Sequence, residues 1–302
     1  MTQTKLFGGI EGGGTKFVCM VAADPQNIVD EIRFHTTTPS ETIEQAVAFF
    51  EKYAHTHGLA AIGMASFGPV DLDKASPTFG HITTTPKPGW AFTDTISQLR
   101  QALSIPVAFE LDVNAAAFGE YYWNAENRNL DPLVYFTIGT GIGAGVIVHG
   151  KLVHGLVHPE AGHMRIPHDL RADPFPGACP YHGDCFEGLA CGPAIQQRWG
   201  QRAEKLPASH PAWDLEASYI AQALNNTICG LSPKRIVLGG GVMQQAGLVR
   251  LIQQKVQKLL NNYIHSTVIT EQIDQYIVLP SLGNRSGVLG AIALARQEIE
   301  GK

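Results

Sequence analysis

Two glycine-rich hairpins, set about one domain length apart, constrain this chain more than any other feature. Residues 9–22 read GIEGGGTKFVCMVA and residues 137–150 read TIGTGIGAGVIVHG. In each, an apolar run meets a cluster of glycines and becomes a second apolar run, the pattern of strand, tight turn and strand. Glycine tolerates positive φ and lets the backbone come close to a ligand, so successive N–H groups in such turns can face phosphate oxygens. Two such hairpins can grip one polyphosphate from both sides of a cleft. Two ordinary turns in two sheets would have the same spacing.

The rest of the chain alternates strand-like and helix-like segments, which reads as an α/β fold. Strands are expected over 6–10, 16–22, 61–65, 106–111, 133–138, 144–148, 235–238 and 276–279. Helices are expected over 41–54, 93–103, 113–125, 194–201, 214–231, 246–263 and 286–298, the first with Ser40 as N-cap and Gly58 past its end. Residues 149–191 are rich in Gly, Pro and His and show no period. The 302 residues suit two domains of roughly 150 each.

Composition excludes several function classes. Hydrophobic residues make up 44% and charged residues 16%, an ordinary globular balance. A net charge of −5 argues against a nucleic-acid binder, though not against phosphate ligands held by backbone N–H groups. Glu11 and Lys16 interrupt the first apolar stretch, which therefore fails as a signal peptide or membrane span. A cytoplasmic protein is expected, with its five cysteines as thiols or metal ligands.

Three glycine motifs carry candidate chemistry. The first loop, Gly12, Gly13, Gly14, Thr15 and Lys16, lacks the P-loop spacing and is followed by a strand instead of a helix. The second presents Thr140 and Gly141 at its turn. The third, Gly239, Gly240, Gly241 and Val242, ends a buried strand at the carboxyl edge of a sheet, where α/β proteins bind ligands. Gly192 and Pro193 open a helix, either offering N–H groups to an anion or merely starting it.

Asp112 ends a strand and precedes a helix. A carboxylate there can accept the proton of a hydroxyl attacking a γ-phosphate, or can cap the helix. In the irregular segment, His163, Cys179, His182 and Cys185 follow a His-x15-Cys-x2-His-x2-Cys pattern. Two thiolates and two imidazoles suit a closed tetrahedral Zn²⁺ site, against the alternative of a histidine-rich loop with unrelated thiols. Cys19, Cys191 and Cys229 fit no such spacing and read as small core residues.

In this order the motifs resemble the ROK family (repressors, open reading frames, kinases), and within it the fructokinases, over nearly the whole chain. The resemblance implies two similar α/β domains of the actin-like, ribonuclease H-like ATPase fold around a cleft where ATP and sugar meet. The expected division is 1–115 plus a C-terminal helix at about 286–302, then 116–285 with a zinc-binding insertion at about 154–191. By resemblance, the Glu11–Lys16 and Thr137–Gly145 loops are phosphate motifs, with Gly12 to Lys16, Thr140 and Gly141 on the nucleotide, and Gly239 to Val242 is an adenosine motif, with Pro193 also on the nucleotide. Asp112 matches the catalytic base. Gly68, in Gly68-Pro69-Val70-Asp71, and the stretch 85–90 resemble segments flanking the sugar. Glu160, His163 and Glu187 match positions that bond sugar hydroxyls, with His163 also ligating zinc through its other ring nitrogen.

Departures from the commoner glucokinase pattern point to the fructokinase branch. Glu11 stands where Asp is usual, lengthening the reach toward a Mg²⁺-bound water. Leu111 replaces an Asn that would bond a pyranose hydroxyl, His182 replaces a cysteine ligand, and Pro159 replaces a glycine. The expected activity is transfer of the γ-phosphate of ATP to the 6-hydroxyl of D-fructose, with Mg²⁺ and a structural Zn²⁺. A hexose and ATP are the expected partners, with no nucleic acid and no membrane, and a homodimer is compatible with this. Mannose or glucose as substrate is the nearest rival. A sugar-responsive repressor would need a helix-turn-helix domain, for which the residues before Glu11 leave no room. A non-catalytic sugar binder is disfavoured by Asp112.

Overall fold

A computed structural model describes residues 5–54 and 58–301. Residues 1–4, 55–57 and 302, which fall within the expected domain spans, lie outside the described residues. The first half runs β1 (Leu6–Gly12), β2 (Lys16–Asp24), β3 (Asn27–His35), α1 (Pro39–Ala54), β4 (Leu59–Ser66), α2 (Ile96–Leu103), β5 (Val107–Leu111) and α3 (Asp112–Trp123). The second opens with β6 (Leu133–Ile138), β7 (Ile142–Val148) and β8 (Lys151–Leu152). After an irregular stretch come α4 (Phe186–Ala190), α5 (Gly192–Trp199), α6 (Ala212–Leu231), β9 (Arg235–Gly239) and α7 (Leu248–Leu260). Short turns α8 (Thr267–Thr270) and α9 (Ile273–Tyr276), strand β10 (Ile277–Val278) and helix α10 (Ser286–Glu300) finish the chain.

The strands form two sheets of one topology. The first has order β3-β2-β1-β4-β5 and the second β8-β7-β6-β9-β10, read in the corresponding direction. In each, the opening hairpin is antiparallel and the last two strands run parallel to the hairpin's first strand. The sequence echo at the two glycine hairpins is therefore the trace of a repeated sheet. Central β2 is buried from Phe17 to Ala23, as a strand covered on both faces must be, whereas edge strand β3 mixes exposed and half-buried positions.

The chain divides into two compact units. The first takes the described residues up to Ala125, the short segment His154–His158, and everything from Arg285 on. Its boundary lies beyond residue 115 because α3 packs along α10, and α10 in turn covers β1 and β4. The second comprises Glu126–Val153 and Pro159–Asn284, so the expected insertion at 154–191 is itself split between the units. Its core joins β6, β7 and β9 to α4, α5, α6 and α7.

Local signals explain the differences from the sequence reading. Helix α1 starts at Pro39, with Ser40 inside the first turn and bonded to Glu44. Thr38 takes the capping role, its hydroxyl accepting the Glu41 N–H at 3.4 Å. Pro at the first helical position and Glu two residues later complete a capping box that Thr-Pro-Ser-Glu announces. Cys19 and Cys191 are buried as expected, but Cys229 lies exposed on α6. Among the described residues no helix is long and apolar enough to cross a membrane.

Candidate functional site

In the first unit the glycine hairpin is stitched by its neighbour strand. The Gly13 N–H donates to the Lys16 carbonyl at 2.9 Å. Thr36, one residue past β3, donates its N–H to the Thr15 carbonyl at 3.0 Å and its hydroxyl to the Gly13 carbonyl at 2.6 Å. Gly14 borders open space, and Thr15 and Lys16 are exposed. Glu11, at the base of the loop, lies against Gly287 and accepts the Val288 N–H in the first turn of α10. Burial pushes its carboxyl up, against the opposing pull of Lys16 and that N–H.

Asp112 is half-buried and is the first residue of α3, with extended Leu111 at the cap position before it. Its Oδ1 accepts the Val113 N–H at 2.7 Å. Leu111 is only 6% exposed, with its Cδ1 over Gly68, so Gly68 and Leu111 form one wall beside Asp112. The stretch 85–90 runs along the surface of this unit and is anchored by its last residue. Trp90 is fully buried and donates Nε1–H to the Thr37 carbonyl at 2.8 Å, and Lys87 donates to the Thr36 carbonyl at 3.3 Å.

In the second unit the remaining glycine motifs converge. The Gly139 N–H donates to the Gly141 carbonyl at 2.9 Å, and the Gly192 N–H donates to the Gly139 carbonyl at 2.7 Å. Gly139 also stands beside the Gly241 backbone. Gly240 has φ +93° and packs so closely on Ile138 that a side chain there would run into backbone. Thr140 and Gly241 are exposed and Pro193 is half-buried, whereas Val242 is buried in the unit's core and supports the turn from behind. Three glycine turns are thus packed side by side, with Thr140 and Gly241 at the surface, and such turns can offer backbone N–H groups to an anion.

Glu187, in the first turn of α4, reaches back to this cradle and accepts the Ile142 N–H at 2.8 Å. Burial pushes the Glu160 carboxyl up, and the nearby Glu187 adds to the rise. The short helical turn Ala161–His163 docks on β7 because Gly162 lets its backbone meet the Ile142 carbonyl. His163, Cys179, His182 and Cys185 bring one donor atom each within 4.8 Å of one another. Cys179 Sγ lies 3.8 Å from His163 Nδ1 and 3.7 Å from His182 Nδ1, and Cys185 Sγ lies 3.6 Å from His163 Nδ1. Tetrahedral Zn²⁺ with ordinary bond lengths would separate sulfur and nitrogen by about 3.6 Å. The residues fit the ion. Burial pushes the Cys185 thiol up to about 11, with Cys179 beside it adding to the rise.

Side chains that sequence reasoning did not single out hold this irregular segment. Asp173 is buried and accepts from Tyr219 Oη at 2.6 Å and Arg198 Nε at 3.2 Å. His168 bridges the Asp173 carbonyl at 3.0 Å and Asp184 at 3.3 Å, and Arg165 also pairs with Asp184. Asp184 sits between the candidate ligands His182 and Cys185, so helices α5 and α6 reach this segment through one polar network. In the first unit, Glu110 was likewise unmarked by any motif, and its bond to His154 was not foreseen.

Comparisons with known proteins agree with this geometry. The ROK family model matches residues 7–298. A protein from Bacillus subtilis (strain 168) is 49% identical over 98% of this chain and 97% of its own. A fructokinase from Lactococcus lactis subsp. cremoris is 44% identical over 96% of each chain. Among solved structures, a ROK family glucokinase from Streptomyces griseus in complex with glucose and AMPPNP superposes with a TM-score of 0.76 at 25% identity, covering 97% of this chain and 99% of that one.

Proposed function

This chain belongs to the ROK family, and from that membership we propose that it is an ATP-dependent fructokinase, transferring the γ-phosphate of ATP to the 6-hydroxyl of D-fructose. One observation carries the choice of sugar: identity to a fructokinase is 44% over nearly the full length, against 25% to a glucokinase. Asp112 accepts the 6-hydroxyl proton as that oxygen bonds the γ-phosphorus and the bond to the β–γ bridging oxygen breaks, releasing ADP. Backbone N–H groups of Gly12 to Lys16 and of Thr140 and Gly141 hold the phosphate oxygens, while Gly239 to Gly241 and Pro193 border the nucleoside end. Mg²⁺ bound with the nucleotide supplies charge neutralisation at the β- and γ-phosphates, and Glu11 offers a hard oxygen donor at the hairpin base.

Zinc on His163, Cys179, His182 and Cys185 is structural, because four protein ligands leave no open position. Ligation through Nδ1, the ring nitrogen that faces both sulfurs, leaves His163 Nε2 for a sugar hydroxyl beside Glu160 and Glu187. The need for ATP and for reduced cysteines places the enzyme in the cytoplasm. Mannose or glucose is the rival substrate. A panel of hexoses in a coupled ADP assay decides. The apolar Leu111 wall forfeits a hydrogen bond that a glucose site would make, so kcat/KM for fructose should exceed that for glucose roughly 5–150-fold. Equal or higher kcat/KM on glucose overturns the assignment.

A further inference from the structure

We propose that Glu110 and His154 form a positioning pair that fixes Asp112 at the β5–α3 junction, an inference that rests on reading Asp112 as the base. Glu110 is 4% exposed and its two oxygens are divided between two tasks. Oε1 accepts the Leu111 N–H at 2.9 Å and the Asn114 side-chain N–H at 2.8 Å. Those two residues stand on either side of Asp112, one at the strand end and one in the first turn of the helix. A single carboxylate therefore bridges the junction that aims the Asp112 side chain. Oε2 lies 2.8 Å from His154 Nε2.

A buried carboxylate is costly without a compensating charge, and His154 is the residue that supplies it. Its segment, His154–His158, belongs to the first unit although the chain on either side of it belongs to the second. His158 Nε2 accepts the Val70 N–H at 3.4 Å, which anchors the other end of the segment. The titratable groups facing His154 are Glu110 on β5 and His158 on its own segment. Hydrogen bonding to Glu110 raises the His154 imidazole above its ordinary value, and burial lowers His158. His154 is half-exposed, so it exchanges protons with solvent. The hold on the junction is then strongest below the raised His154 value and weakens as pH rises through it.

The test combines kinetics with NMR on the full-length protein. His154→Ala should lower kcat roughly 10–100-fold, the worth of one hydrogen bond to a charged group, with KM for ATP little changed. Wild type should show a decline of kcat at alkaline pH, and His154→Ala should abolish it. In the double variant with Glu110→Gln, kcat should fall no further than in the worse single variant. His154 is half-exposed, so His154→Ala removes little packing and, with its fold checked by circular dichroism, decides the kinetic arm even where Glu110→Gln does not fold. Unchanged kcat with an unchanged pH profile overturns the pair. Independently of any sugar, amide resonances of Leu111 and Asn114 should follow the His154 titration in wild type, and Glu110→Gln should lower that titration toward the ordinary imidazole range. A titration that Glu110→Gln leaves unmoved overturns the pair by itself, whereas wild-type protein that forms no ADP from fructose overturns the reading of the site.

Discussion

The two units repeat one sheet, yet they hold their glycine hairpins by different means. In the first, nine-residue β3 runs the length of the hairpin and Thr36 at its end clasps the loop with two hydrogen bonds. In the second, the matching strand β8 has two residues, and the loop is held by Gly192 and Glu187, which lie beyond the candidate metal residues in sequence. Strand pairing supports one loop, and two short helices that follow the candidate metal segment support the other. After β8 the chain leaves the sheet for an irregular stretch that carries Glu160 and His163, with Glu187 on the short helix that ends it. The units should therefore fail separately under different perturbations.

The largest effect belongs to the first unit. Asp112→Asn should lower kcat by about 10²–10⁴-fold while zinc content, folding and ATP binding stay as in wild type. A variant that keeps more than about a tenth of wild-type kcat removes Asp112 from the role of base. The second unit should break differently. Chelation, or Cys185→Ala, should raise KM for sugar by roughly 10–100-fold and lower thermal stability, with a smaller change in KM for ATP. Protein purified without added zinc that contains none, or a Cys185→Ala variant with wild-type zinc and sugar KM, would contradict the metal assignment. A finer comparison is Thr36→Val, which deletes one clasp of the first hairpin. Losing a single hydrogen bond should raise KM for ATP roughly 2–12-fold, leaving zinc content and sugar KM alone. A change in sugar KM equal to that in ATP KM would show that the two loops are not held independently.

What could be read from the sequence was whatever depends on residues close together along the chain. The glycine turns, the Asp112 junction and the metal spacing each fit within a few residues or a fixed interval. Strand β3 escaped notice because Asp30, Glu31 and Arg33 dilute its apolar alternation, as suits a half-exposed edge. The pairs His154–Glu110 and Asp173–Tyr219 join residues 44 and 46 positions apart, and nothing local marks either partner. Val242 sits in a ligand-facing motif but packs into the core, because a turn needs one side chain to anchor it. Sequence pattern marked the candidate loops. The long-range bonds that hold them became visible only once the fold joined them.

The smallest effect offers the most direct reading of the comparison, since the five cysteines are already distributed as reporters. Cys229 is exposed on α6, Cys19 is buried in the first unit's sheet, and Cys191 is buried at the start of α5. Burial pushes the Cys191 thiol up to about 12 and the Cys19 thiol up as well, so neither offers an accessible thiolate. Cys179 and Cys185 are buried and would be occupied by zinc. A thiol reagent added to native protein should therefore label Cys229 fast and the other four slowly. Chelation should add Cys179 and Cys185 to the fast class, because their segment is held by ligation and by few regular backbone bonds. Cys19 should stay unreactive until the first unit unfolds, because strand pairing and α10 cover it without help from the metal. Peptide mapping after timed labelling checks each thiol. Release of Cys19 at the same rate as Cys185 on chelation would mean that the metal supports both units, and the contrast between strand-held and metal-held hairpins would fall.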